Sequence, residues 1–184
     1  RVRAVNGSGT GANSNTVSQL TVPAAPTAQA ASSVTASGFT ANWSAATSAT
    51  EYRLDVATDA GFTALVTGFN NLSVGNVTSV GVTGLAGGTT YHYRVRAVNG
   101  SGTSASSGTT SQLTIPAAVV ATSATSVATT SFSANWNAAT GAASYVIDVN
   151  DQSDVLGTFV TGFNAQNVGN VTTVSVTGLT AGTT

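Results

Sequence analysis

Histidine occurs once in these 184 residues, at His92, so a serine–histidine–aspartate relay would have to be assembled around that one imidazole. Such a relay needs the ring held between a nucleophile and an acid. His92 instead falls in Tyr91-His-Tyr-Arg-Val-Arg-Ala97, on the same side of an alternating run as Arg94 and Arg96. A solvent-facing strand residue is the expectation. Two carboxylates crowd into Asn150-Asp151-Gln-Ser-Asp154, chemistry that suits a calcium ion. The segment lacks the Asp-x-Asp-x-Asp-Gly run and distal glutamate of a calcium loop, so it reads as a polar loop. Gly7-x-Gly9-x-x-Ala12 has the spacing of a dinucleotide-binding turn. No helix follows to offer its N-terminus to a phosphate, and a hairpin turn explains the glycines. Trp43 and Trp136 could stack on sugars if exposed, but both fall in the inward phase of a strand. Asn42-Trp-Ser44 and Asn76-Val-Thr78 fit a glycosylation triplet that chance supplies several times in so Ser/Thr-rich a chain. No catalytic, cofactor or metal set emerges, and the chain does not read as an enzyme.

Composition narrows the partners. Five arginines, no lysine and six acids leave a net charge of -1, with only 6% of residues charged. That balance offers no electrostatic footprint for nucleic acid or an anionic membrane surface. Apolar residues reach 41%, largely Ala and Val, with Thr, Ser, Gly and Asn filling most of the rest. Low charge with many β-branched residues is a globular β composition. No apolar run approaches the roughly 18 residues of a membrane helix, so membrane insertion is not expected. Cysteine is absent, which removes disulfides, thiolate zinc sites and cysteine nucleophiles together.

The strongest signal is repetition. Arg1-Val-Arg-Ala-Val-Asn-Gly7 recurs as Arg94-Val-Arg-Ala-Val-Asn-Gly100, and Ala41-Asn-Trp43 as Ala134-Asn-Trp136, both at an offset of 93. Tyr52 and Asp55 recur as Tyr145 and Asp148. Beyond them the offset becomes 94: Val66-Thr-Gly-Phe-Asn70 matches Val160-Thr-Gly-Phe-Asn164, and Thr83-Gly-Leu85 matches Thr177-Gly-Leu179. One residue is therefore inserted between Val149 and Val160, in what should be a surface loop. A period this long is the size of a domain, which makes the chain a string of modules.

Within a repeat the texture is strand and turn. Phe39, Ala41 and Trp43 share one phase, as do Tyr52, Leu54 and Val56, and then Tyr91, Tyr93, Val95 and Ala97. Period 2 over such runs means half-buried strands in antiparallel sheets. Asn99-Gly100, Gly87-Gly88 and Gly61 supply turns between them. These strands should enclose a core of Phe39, Ala41, Trp43, Tyr52, Leu54, Val56, Leu85, Tyr91, Tyr93 and Val95, with Trp136 and Tyr145 as its counterparts in the next repeat. The outward positions, Arg53 and Asp55 on one strand and His92, Arg94 and Arg96 on another, should adjoin. A carboxylate of Glu51 or Asp55 is expected within about 4 Å of Arg94 or Arg96.

A tryptophan closing the second strand, followed by Tyr52-Arg-Leu-Asp55, resembles the fibronectin type III family. So do Leu85-Ala-Gly-Gly-Thr-Thr-Tyr91, with a leucine six residues before a tyrosine, and Arg94-Val-Arg-Ala-Val-Asn-Gly-Ser-Gly102, similar to the F strand and F–G turn. The wording of the repeats is similar to that of large secreted surface or fibre proteins of bacteria. The resemblance implies an all-β chain of tandem immunoglobulin-like sandwiches, seven strands per complete module, with sheet A-B-E facing C′-C-F-G. It also implies that Tyr91 forms the tyrosine corner, its hydroxyl bonded to backbone a few residues upstream. There is no Arg-Gly-Asp triplet of the kind some fibronectin modules use to bind receptors.

The expected map is a partial module at 1–22 (strands F and G), a complete module at 23–116, and a partial module at 117–184 (strands A to E). The expected role is a structural repeat of an extracellular or cell-surface fibre or stalk. A surface of Thr, Ser, Asn and Ala with few charges lacks the repulsion that usually keeps copies apart. The alternatives are an adhesin module with a ligand face of its own and a spacer in a secreted hydrolase. The partner expected is self: strands F and G at residues 1–22 of one copy completing residues 117–184 of the next, head to tail, either by strand donation between separate chains or along a continuous polypeptide of which these residues are a repeating two-domain window. In that arrangement Asp148 would face Arg1 or Arg3, as Asp55 faces Arg94 or Arg96.

Overall fold

The computed structural model describes residues 1–150 and 158–182. In chain order the strands are β1 (Val5–Asn6), β2 (Gly9–Thr10), β3 (Ala28–Ser32), β4 (Gly38–Trp43), β5 (Glu51–Ala57), β6 (Leu72–Gly75), β7 (Ser79–Thr83), β8 (Thr90–Asn99), β9 (Gly102–Thr103) and β10 (Thr110–Leu113). They continue with β11 (Ala121–Thr125), β12 (Ser131–Trp136), β13 (Tyr145–Ile147), β14 (Gln166–Gly169) and β15 (Thr173–Thr177). No helix occurs among the described residues.

The central strands make a two-sheet sandwich. Sheet β3-β4-β7 faces sheet β10-β8-β5-β6, with the short β9 returning onto β8, and every pairing is antiparallel. This is the A-B-E against C′-C-F-G arrangement. Alternation sets which face each side chain takes: Tyr91, Tyr93, Val95 and Ala97 of β8 are buried, while His92, Arg94 and Arg96 are half-buried on the other face. All ten residues expected in the core are buried, joined by Val82 and Ala97. Two ring pairs tie the layers together, Phe39 with Tyr93 and Trp43 with Tyr52, each at 5.8 Å between centroids. Such pairs add about 0.5–1.5 kcal/mol beyond the area they bury.

The tyrosines do more than fill space. Ala86 N–H donates to the Tyr91 hydroxyl at 2.9 Å, closing the corner before β8. Ala46 N–H donates to Tyr52 in the same way at 2.8 Å, and Ala139 to Tyr145 at 2.9 Å in the next repeat. Tyr93 donates across the sandwich to the Gln29 carbonyl on β3, and its burial pushes the phenol above its ordinary pKa. Tyr91→Phe removes one such bond without changing the ring. It should lower stability by about 0.5–1.5 kcal/mol in urea unfolding, with an unchanged m-value.

Asn42 explains why asparagine precedes tryptophan in both repeats. The β3–β4 ladder shifts register between Gln29 and Ser32, leaving backbone groups unpaired there. The Asn42 amide donates to Ala30 O at 3.0 Å and Ser32 Oγ at 3.1 Å, filling the irregularity. Asn135 does the same for β11 and β12, bonding Ser123 O and Thr125 Oγ1. The amide of the Asn42-Trp-Ser44 triplet is thus committed to the fold.

Residues 119–180 repeat half of this pattern. Sheet β11-β12-β15 has the order of β3-β4-β7, and β13 pairs with β14 as β5 does with β6. Among the described residues, no strand occupies the places that β8 and β10 take in the central sandwich. Tyr145 and Val176 are buried. Trp136 is only half-buried, although it stacks on Tyr145 at 5.7 Å as Trp43 does on Tyr52. That is a departure from the core position expected of it, and its physical reason is the uncovered face beside it.

Candidate functional site

The charges of the central sandwich collect on the outer face of the β5–β8 pair. Register sets Asp55 opposite Arg94 and Arg53 opposite Arg96. Asp55 Oδ2 accepts from Arg94 Nε at 2.9 Å and from an Arg96 terminal nitrogen at 2.8 Å. Its other oxygen accepts from the Asn71 backbone N–H at 2.7 Å. The strand pairing expected from the sequence is therefore present, but its setting differs. Asp55 points to the outer face yet is only 2% exposed.

The loop between β5 and β6 covers it. Thr63 and Ala64 N–H groups donate to the Asp59 carboxylate, curling the loop and holding Asp59 below its ordinary pKa. This curl brings the buried Phe62 ring over the Arg94 guanidinium, 4.1 Å from its centroid. Arg96 also reaches Asn71 Oδ1 at 3.2 Å, so both ends of the loop rest on the arginines. Glu51 pairs with Arg53 at 2.6 Å along its own strand and accepts from Ser73 Oγ. The periodic pattern missed this cap, because the alternation of β5 says nothing about a loop folding back over the polar face. Phe62, an apolar residue three positions after Asp59, was the available signal.

His92 lies on the same outer face, in register with Ala57 and Ser111, while Asp55 is occupied by the two arginines. The arrangement gives no serine–histidine–aspartate alignment. Among the described residues, no three His, Cys, Asp or Glu side chains group closely enough for a metal ion. Asp151 and Asp154 of the acidic segment, with most of the insertion, lie outside the described residues. Gly7 and Ser8 form the turn of the β1–β2 hairpin, with Ser8 N–H donating to Asn6 Oδ1 at 2.9 Å. The glycine spacing there is thus hairpin chemistry.

The counterpart of Asp55 is half-built. Asp148 accepts from the Ala165 backbone N–H, just as Asp55 does from Asn71, but it is exposed and makes no ion pair among the described residues. Arg1 and Arg3 are exposed, with Arg3 Nε donating to the Asn13 side chain. Within this one chain they do not meet Asp148. Beside Asp148 runs an open groove of about 570 Å³, lined by Phe132, Ala134, Trp136, Tyr145 and Ile147 among others.

Two facing antiparallel sheets in this order, with a corner tyrosine, define an immunoglobulin-like β-sandwich, and the chain carries such modules in tandem. Residues 24–112 match the fibronectin type III domain family, and the central sandwich has the fibronectin type III fold. Solved structures similar to the chain include the two-domain fibronectin type III segment of chicken tenascin, 19% identical, with 89% of this chain and 86% of that one covered at a TM-score of 0.44. Another is the sixth fibronectin type III domain of human fibronectin type III domain containing protein 3, 24% identical, covering 58% of this chain and 95% of that one, TM-score 0.41. The FN5 domain of Drosophila Lar is 21% identical, covering 51% of this chain and 98% of that one, TM-score 0.41. Among curated proteins, none matches the sequence significantly. Fibronectin type III domains are common structural and spacer modules, generally non-catalytic and typically extracellular.

Proposed function

We propose that this chain is a structural segment of an extracellular fibre or stalk, built from sandwiches joined head to tail. The open apolar face at Phe132, Trp136 and Tyr145 carries the reading. In the central sandwich the equivalent face is closed by β8, and Arg94-Val-Arg-Ala-Val-Asn-Gly100, running from β8 into its turn, is identical to Arg1 through Gly7. The occupant of the open face is therefore an F–G hairpin of this sequence from a neighbouring repeat. Asp148 supports the match, since it already holds its backbone donor and has room for the two arginines that hairpin carries. Apolar inward positions would fill the groove, and strand pairing would satisfy the backbone edges of β13.

The small uncharged surface supports close packing of many copies, and among the described residues no helix is long and apolar enough to cross a membrane. A hairpin of one repeat seated on the open face of the next is a heterologous contact, which generates an open chain of modules when its rotation does not close. Sedimentation velocity over a concentration series tests this. Association that grows with concentration and weakens in Asp148→Ala is the expected result. A homogeneous 18 kDa monomer at every concentration, folded at both ends, would sink the strand-completion reading.

A further inference from the structure

Two sandwiches on one chain can be beads on a string or parts of a rod, and the segment between them decides which. Residues 113–117 are held closely against the central sandwich. Thr114 is fully buried, its hydroxyl placed between Ala86 O at 2.8 Å and the backbone of Thr89 at 3.0–3.1 Å. Gly88 N–H donates to Ile115 O at 3.0 Å, and Ile115 N–H to Thr35 O at 3.3 Å. The corresponding stretch before the sandwich, Leu20-Thr-Val-Pro23, is gripped from the other side. Asn99 Nδ2 donates to Thr21 O at 2.9 Å and Ser101 Oγ to Leu20 O at 2.6 Å, while Pro23 and Pro26 are buried. The segment after the central sandwich is thus held through the Thr114 hydroxyl, and the one before it through the Leu20 and Thr21 carbonyls.

The second junction has one more contact. The turn before β8 meets the turn before β13 backbone to backbone. A Cβ placed on Gly88 would lie 1.9 Å from Thr140 O, and one on Gly141 would lie 2.4 Å from Gly88 O. Both glycines have left-handed backbones, with φ of 63° and 72°. Gly87 is confined less tightly, 2.7 Å from Ala117 N on the same measure. Ser48 stands where Gly141 would be one repeat earlier, also with positive φ but with a side chain. The close approach therefore belongs to this junction and is not a property of every repeat.

We infer that the junction between the central sandwich and residues 119–182 is a fixed joint, closed by contact of Gly88 with Thr140 and Gly141, that holds the two at one angle. Chain interiors pack too densely to absorb an added methyl at such a contact. This deepens the structural-segment reading, on which it rests, by assigning the segment its stiffness. It is tested separately from that reading, because the association experiment does not depend on the joint.

The chain has no cysteine, so nitroxide labels at Ser79→Cys and Ser123→Cys, on exposed strand positions of the two sandwiches, report one distance. Pulsed electron spin resonance should give a single narrow distance peak in the parent. Gly88→Ala should shift and broaden it by several ångströms, since real contacts at Cβ essentially never fall under 3.0 Å and the loops must part. Gly84→Ala is the matched control, with φ of 75° and open space around it, so it carries the same backbone strain without touching the junction. Its peak should stay where the parent's is. Gly141→Ala attacks the contact from the other side and keeps the test valid if Gly88→Ala fails to fold. A broad distribution in the parent overturns the joint. So does a narrow peak that Gly88→Ala and Gly141→Ala leave unmoved, or that Gly84→Ala moves as far.

Discussion

Trp43→Ala is expected to lower the stability of the central sandwich by about 3–5 kcal/mol. The indole is 2% exposed and packs on Tyr52 between the sheets. Its Nε1 is buried without a hydrogen-bond partner, so truncation sacrifices no hydrogen bond. The loss is packing and transfer alone, which is why the cavity scale applies directly. A domain of this size holds only about 5–15 kcal/mol in total, so the variant keeps a fraction of its stability. Trp136→Ala is the internal comparison. That ring is only half-buried, so its removal opens a shallower cavity and should cost clearly less. Guanidinium unfolding followed by far-ultraviolet circular dichroism separates the two. Equal losses from both substitutions would contradict the difference in burial between the two sandwiches.

The parts of this fold written in alternation were legible before any coordinates. Phe39, Ala41 and Trp43, or Tyr91, Tyr93 and Val95, declare their buried side by period alone, because a strand has only two faces. The Leu85-to-Tyr91 spacing announced a local bond that the Ala86 N–H does make. Three features were hidden for a common reason: each joins groups that sequence spacing does not bring together. Asp55 reads as an outward residue, and its burial depends on the loop after β5, which sets Phe62 on Arg94 and the Asn71 N–H on the carboxylate. Tyr93 reads as a core ring, yet its hydroxyl reaches a carbonyl 64 positions away in the opposite sheet. Asn42 reads as a polar outward residue, whereas a register shift in a neighbouring strand gives its amide a structural use.

Removing the Asp55 carboxylate should be the other costly change. Asp55→Ala takes the acceptor from two guanidinium groups and from the Asn71 backbone N–H at once. Breaking a buried pair by deleting one partner typically costs 3–5 kcal/mol, because the other charge is left without compensation. Here the arginine side chains retain 33% and 25% exposure and can turn toward water, which moderates the penalty. Asn71 is itself exposed, so losing its N–H bond adds about 0.5–1.5 kcal/mol. Together these place the expected loss at about 2–4 kcal/mol. Glu51→Ala, which breaks the more exposed pair with Arg53, should cost only about 0.2–1 kcal/mol. Salt distinguishes them further. The Glu51 contribution should shrink as sodium chloride is raised, whereas the Asp55 contribution, sheltered beneath Phe62, should change little. A cycle with Arg94→Ala isolates the pair: the double variant should be less destabilised than the sum of the single ones, because each single change already breaks the same interaction. Additive losses would mean that Asp55 acts through Arg96, the Asn71 bond and the loop, with Arg94 as a bystander.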